Sequence, residues 1–139
     1  MKTKNPFKPV ATIDDIIAYR LDDEATHTPS PLVNAFAEAL IKTNSIQCKD
    51  IAEYMELDCY HLSVAMNILT GHSLMEILHA YKLNQIHEYM QSHEGAPLEE
   101  VAKAAGYSSY RTMWRFFQRR FGTTPSGKKS NAGPELGRK

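Results

Sequence analysis

The side chains with the most chemistry to offer crowd into one short stretch: Tyr110, Arg111, Trp114, Arg115, Gln118, Arg119 and Arg120. Arg and Gln can fork onto base edges in a major groove, Arg with two donors and Gln with a donor and an acceptor, while Tyr and Trp pack on sugar or on thymine methyl groups. Lys103 and Arg120 are better placed for phosphate. Met113, Phe116, Phe117 and Phe121 stand at i, i+3, i+4 and i+8, so they form one apolar face of a helix with the polar set opposite. A basic face on an amphipathic helix is most often a solvated surface. Here the short helix before it, a glycine turn and the exposed aromatics shift the reading toward nucleic acid.

A helix of this kind needs elements that present it. Pro97 suits the first turn of a helix, where a missing N–H costs nothing. Leu98, Val101 and Ala102 give that helix a buried side, and Gly106 ends it in the left-handed conformation that glycine adopts cheaply. Ser108 or Ser109 then caps the next helix. Residues 97–122 therefore read as a helix-turn-helix, and residues 47–71 share the same grammar. In that first unit the second helix, Cys59 to Leu69, would bury Leu62, Ala65, Met66 and Leu69 and turn Tyr60, His61, Ser63, Val64, Asn67 and Ile68 outward.

A long helix over 73–92 joins the two. It opens on the capping-box pattern Ser73-Leu74-Met75-Glu76 and continues through Leu74, Ile77, Leu78, Tyr81, Ile86 and Met90 at helical spacing. Its length, roughly 27 Å at 1.5 Å per residue, would make it a rigid spacer. Upstream, Leu32 to Ile41 reads as a helix burying Val33, Phe36, Ala37 and Leu40, and Ile13, Ile16, Ile17 and Leu21 suggest a short one. Residues 22–31, with Asp22-Asp23-Glu24 and two prolines, read as a linker or turn. The expected layout is an N-terminal extension over 1–30, a helical domain over 31–125 and a flexible basic tail over 126–139. Nothing reads as a strand, and the expected class is all-α.

Net charge is zero, which taken alone argues against a nucleic-acid binder. The average hides a split. Residues 1–99 carry 7 Lys+Arg against 14 Asp+Glu, net −7, and residues 100–139 carry 9 against 2, net +7. Such a chain offers one part to polyanions and another that repels them. Over residues 44–94 only Lys49 and Lys82 face 7 carboxylates, net −5, so the first unit has almost no cation with which to release counterions from DNA.

Ala104-Ala105-Gly106-Tyr107-Ser108-Ser109, followed by Arg115, Phe117, Phe121-Gly122 and Thr124-Pro125, resembles the signature of the AraC/XylS family of bacterial transcription regulators. Asp50-Ile51-Ala52-Glu53-Tyr54-Met55, His61-Leu62-Ser63 and Thr70-Gly71-His72-Ser73-Leu74 agree upstream, so the resemblance covers about residues 31–129. It implies two helix-turn-helix units joined by a long helix, with recognition helices able to enter successive major grooves of double-stranded DNA. It also implies base reading by Tyr110, Arg111, Trp114 and Arg115 in the second unit and by Tyr60, Ser63 and Val64 in the first. The departures lie mainly in the first unit, where Val64 stands in place of the family's arginine, and Asn67 and Ile68 stand where basic residues are usual. The expectation is a regulator that reads DNA mainly through its second unit. Val64 and Ile68 then have two uses open to them: contact with thymine methyls, or a patch for a protein partner such as RNA polymerase or another regulator. In the competing reading the chain is an adaptor whose acidic first unit is the interaction surface. Residues 1–30 are too few for an effector-binding barrel, so the likeness is to single-domain members or to a regulator trimmed to its DNA-binding part. Ser126-Gly127-Lys128 replaces the family's polar-Tyr-Arg ending.

Other chemistries find little footing. His72, His79 and His87 fall near one stripe, but the E-x-x-H of Glu76 and His79 occurs once where a carboxylate-bridged centre needs two. Cys48 and Cys59 lack C-x-x-C spacing, so no metal is expected, and two cysteines make no disulfide framework. There is no G-x-x-x-x-G-K-S/T loop and no G-x-S-x-G elbow, so neither a cofactor nor an enzyme is expected. The start of the chain lacks an apolar signal core, and no apolar run is long enough to span a bilayer, which makes cytoplasm the expected location. A dimer or a partner would strengthen a single working unit, but no residue specifies one.

Overall fold

A computed structural model describes residues 8–125. Its helices are α1 (Ile13–Ala18), α2 (Pro31–Thr43), α3 (Cys48–Tyr54), α4 (Cys59–Thr70), α5 (Leu74–Ser92), α6 (Leu98–Ala104) and α7 (Tyr110–Phe121), with a single 3-10 turn at Glu24–Thr26. Among the described residues there is no strand beyond isolated bridges such as that between Arg20 and Asp23, so the all-α class holds. The chain divides into two compact units, and the boundary falls inside α5, between Tyr81 and Lys82.

The first unit is built around α2. Ser30 accepts the Val33 N–H at 3.2 Å, Pro31 occupies the first turn, and left-handed Asn44 closes the helix. The spacing of Val33, Phe36, Ala37 and Leu40 buries all four, as periodicity predicts, and Ala39 joins them. Residues 8–30 are not a detached extension. The Val10 N–H donates to the Leu69 carbonyl at 2.9 Å, and Ala11, Ile16 and Tyr19 are core residues. The stretch expected as a linker is pinned as well, since the Arg20 N–H donates to Thr26 Oγ1 at 2.8 Å and His27 stacks on Tyr19.

Within this unit α3 and α4 form the first helix-turn-helix. The turn is held by the Leu57 N–H donating to Ala52 O at 2.9 Å, and Asp58 caps α4 by accepting the His61 N–H at 2.7 Å. Leu62 and Met66 are buried as expected, and Thr70 extends the buried side by a turn, while Ala65 and Leu69 are only half-buried. The box at the start of α5 is present: Ser73 Oγ accepts the Glu76 N–H at 3.1 Å, and the Glu76 carboxylate accepts the Ser73 N–H at 2.9 Å.

The second unit packs the end of α5 with α6 and α7 around Ile86, Val101, Ala102, Met113 and Phe117. Pro97 is the cap of α6 rather than its first helical residue, with ψ at 151°. Gly106 takes φ +95° as its position requires, and Tyr107 N–H then donates back to Ala102 O at 3.0 Å. Met90, expected on the apolar side of α5, is exposed.

Candidate nucleic-acid interface

The helix α7 is held at both ends. Ser109, rather than Ser108, caps it by accepting the Thr112 N–H at 3.1 Å, and left-handed Gly122 terminates it. Its inner side is an aromatic cluster in which Tyr107 meets Phe116 edge-on at 5.7 Å and Phe121 meets both Phe116 and Phe117. Those contacts fix the rotation of the helix, and the rotation decides what faces outward. Arg111, Arg115 and Arg119, one turn apart, are exposed and form a basic stripe. No hydrogen bond or ion pair among the described residues, beyond those of its own helix backbone, engages Arg111, Arg115 or Arg119, and α7 contains no carboxylate to neutralise them.

Tyr110, Trp114 and Gln118 flank that stripe and are half-buried. Trp114 differs from its expected role as an exposed aromatic, because its indole N–H is buried without a hydrogen-bond partner. Arg120 is exposed but leans back over the Phe116 ring at 5.6 Å, a cation–π contact at the margin of the stripe. Lys103 is exposed on α6.

A second set of hydrogen bonds aims the stripe. Lys82, on α5, is fully buried, and its Nζ donates to the Ala105 carbonyl at 2.8 Å and to Gln85 Oε1 at 3.2 Å. Gln85 Nε2 reaches the Ala104 carbonyl at 3.4 Å. Together they cap the C-terminal carbonyls of α6 just where the chain turns toward α7. Burial lowers the Lys82 ammonium from its ordinary value to about 8. Charge counting alone makes Lys82 a surface cation. The helical period shows otherwise, since Leu78, Lys82 and Ile86 stand at i, i+4 and i+8, and the two flanking residues are buried.

The first unit repeats the scaffold with different cargo. Helices α3 and α6 are both 7 residues long, and α4 and α7 are both 12. Leu57→Ala52 repeats the Tyr107→Ala102 hydrogen bond, and Glu56, at φ +61°, occupies the left-handed position that Gly106 fills in the second unit. Counting from the first residue of each recognition helix, Tyr60, Val64 and Ile68 take the places of Arg111, Arg115 and Arg119. All three are exposed, Tyr60 at 73%, so the outward stripe of α4 is apolar where that of α7 is cationic. Asn67 is exposed beside them and Ser63 is half-buried. Asp58 and the ring of His61 pair at 2.8 Å at the start of α4, and the His61 backbone N–H first of all holds the Asp58 carboxyl below its usual range. With Lys82 inside the second unit, Lys49 is the cation that residues 44–94 leave at the surface.

The fold and site define a protein with paired helix-turn-helix units, one of them basic. A family model for the helix-turn-helix domain matches residues 51–130, more than half of the chain, and the chain belongs to that AraC-type helix-turn-helix family. Among solved structures it is similar to the DNA-binding domain of AdpA, described as the global transcriptional factor, in complex with a target DNA. That likeness has 19% sequence identity and a TM-score of 0.50, covers 79% of this chain and 96% of the other, and concerns the fold. No curated protein matches the sequence. Among the described residues, no group of three or more His, Cys, Asp or Glu side chains could hold a metal ion, and no helix is long and apolar enough to cross a membrane.

Proposed function

We propose that the chain is a DNA-binding transcription regulator that reads double-stranded DNA mainly through α7. The observation that carries this reading is the stripe of Arg111, Arg115 and Arg119, exposed and without carboxylate partners on a capped recognition helix. Arg111 and Arg115, nearest the helix start, are suited to fork onto guanine edges, because the N-terminal residues of a recognition helix meet the bases. Tyr110 and Trp114 add apolar contact with sugar or thymine methyl, and Gln118 adds an amide whose paired donor and acceptor suit an adenine edge. Lys103, Arg119 and Arg120 supply charge for phosphates, which fix register without reading sequence. The family membership and the DNA-bound neighbour support the same reading.

In this reading the first unit contributes shape rather than charge. Tyr60, Ser63, Val64 and Asn67 can touch a groove only by apolar and neutral polar contact. A regulator of this kind works where the DNA is, in the cytoplasm, and a protein partner such as RNA polymerase would meet it outside the α7 stripe.

Duplex-DNA affinity measured by fluorescence anisotropy across a salt series tests the proposal. A steep log–log slope, about −0.9 per phosphate neutralised, is expected for the wild type. Flat or undetectable binding would remove the reading altogether.

A further inference from the structure

Helix α6 ends at Ala104 and α7 begins at Tyr110, so residues 105–109 decide where the recognition helix starts. The N–H groups of that turn find backbone partners: Gly106 donates to Lys103 O at 3.1 Å and Tyr107 to Ala102 O at 3.0 Å. The last carbonyls of α6 are met by side chains of α5 instead. Lys82 Nζ donates to Ala105 O at 2.8 Å, Gln85 Nε2 donates to Ala104 O at 3.4 Å, and Gln85 Oε1 accepts from Lys82 at 3.2 Å. Lys82 and Ala105 are both buried, so bulk water reaches neither partner.

The first helix-turn-helix supplies an internal comparison. Its turn has the same backbone pattern, with the Leu57 N–H on Ala52 O and Glu56 in the left-handed position. There Tyr54 and Met55 take the places of Ala104 and Ala105, and among the described residues no side-chain donor meets either carbonyl. The turn therefore forms without a clamp of this kind. The clamp accompanies the unit whose outward helix carries Arg111, Arg115 and Arg119. Stability is a poor reason for it, because an ammonium taken out of water is costly and an apolar residue of similar volume often serves a core as well or better.

We propose, on the footing that α7 reads DNA, that Lys82 braced by Gln85 is a positioning residue for base recognition, fixing the turn from which α7 departs. The ammonium holds the Ala105 carbonyl at one end of the turn, and the Ser109 hydroxyl holds the Thr112 N–H at the other. An arginine that forks onto a guanine edge has to be kept within roughly 0.5 Å and 10–20° of its productive place. Attraction to phosphates is independent of sequence and far less exacting. A loosened turn should therefore lose base reading first.

The test uses the full chain and two duplexes of equal length, one selected from a random pool by the wild type and one of scrambled sequence. Anisotropy at pH 7 measures both for the wild type, Lys82→Met, Lys82→Arg and Gln85→Leu, with urea unfolding of each protein alongside. Lys82→Met is expected to bind the selected duplex about tenfold more weakly, roughly the worth of one forked contact. Its affinity for the scrambled duplex should change by less than about twofold. Lys82→Arg, which still carries donors to the carbonyls, should recover most of the loss, and Gln85→Leu should show a smaller loss of the same kind. Unchanged binding of the selected duplex by Lys82→Met would overturn the proposal. Equal losses on the two duplexes would also overturn it, since Lys82 would then serve the fold alone, and so would an arginine variant no better than the methionine one. A wild type that binds neither duplex, and from which none can be selected, would instead remove the DNA-reading role of α7, and this role of Lys82 with it.

Discussion

At the scale of single residues, Arg115 and Lys82 carry opposite uses of positive charge. Arg115 stands exposed near the start of α7. Replacing it with alanine is expected to cost about 1–3 kcal/mol at a selected site and much less on random sequence. Measured by anisotropy on both duplexes, equal losses would reassign Arg115 to the phosphates. Lys82 spends its charge inside the protein, with a folded-state value near 8 against roughly 10.4 in an unfolded chain. Between those values the unfolded chain holds more protons, so stability rises with pH, and the cost of the buried charge is fully present below the folded value. Urea unfolding from about pH 7.5 to 9.5 should therefore show a rise in the wild type that Lys82→Met abolishes. A rise of the same size in the variant would place its origin elsewhere.

At the scale of elements, the two helix-turn-helix units show what a turn demands. Gly106 and Glu56 hold the same left-handed position, and only the glycine holds it without a steric cost. Gly106→Ala is expected to destabilise by about 1–2 kcal/mol, and Glu56→Gly to stabilise by up to about 1 kcal/mol, both read by urea unfolding. A common sign for the two changes would mean the local turn geometry is not what limits them. Loss of the Ser109 cap in Ser109→Ala should cost about 1 kcal/mol and weaken DNA binding with it, since the same hydroxyl fixes the start of α7. Much of this level is legible in the sequence. Period and punctuation place α2, the capping box at Ser73 and both recognition helices, because burial at i, i+3, i+4 and the chemistry of caps are local. What escapes is non-local. That residues 8–30 pack into the first unit depends on Val10 meeting Leu69. Trp114 reads as outward from its place on the helical wheel, yet its N–H is buried. Lys82 is readable in principle, since it interrupts an apolar stripe, but there residue type and position point opposite ways and position wins.

At the scale of the whole molecule, a net charge of zero conceals a chain that is acidic up to residue 99 and basic beyond it. Long-range attraction to DNA depends on where the charge lies rather than on its sum. The first unit holds carboxylates around α3 and α4 and an apolar outward stripe, and burial of Lys82 removes the second of the two lysines between residues 44 and 94 from solvent. Phosphate contacts should then come almost wholly from α6, α7 and the basic C-terminal sequence. This assigns different salt responses to two exposed cations. Arg119→Ala should lower the log–log slope of duplex affinity by about one contact, because a released counterion is lost with it. Lys49→Ala, at the start of the first helix-turn-helix, should leave the slope unchanged. If instead Lys49→Ala flattens the slope as much as Arg119→Ala does, the first unit sits on the phosphate backbone after all. The apolar stripe of Tyr60, Val64 and Ile68 would then have to be facing a groove, where it could read only thymine methyls and shape.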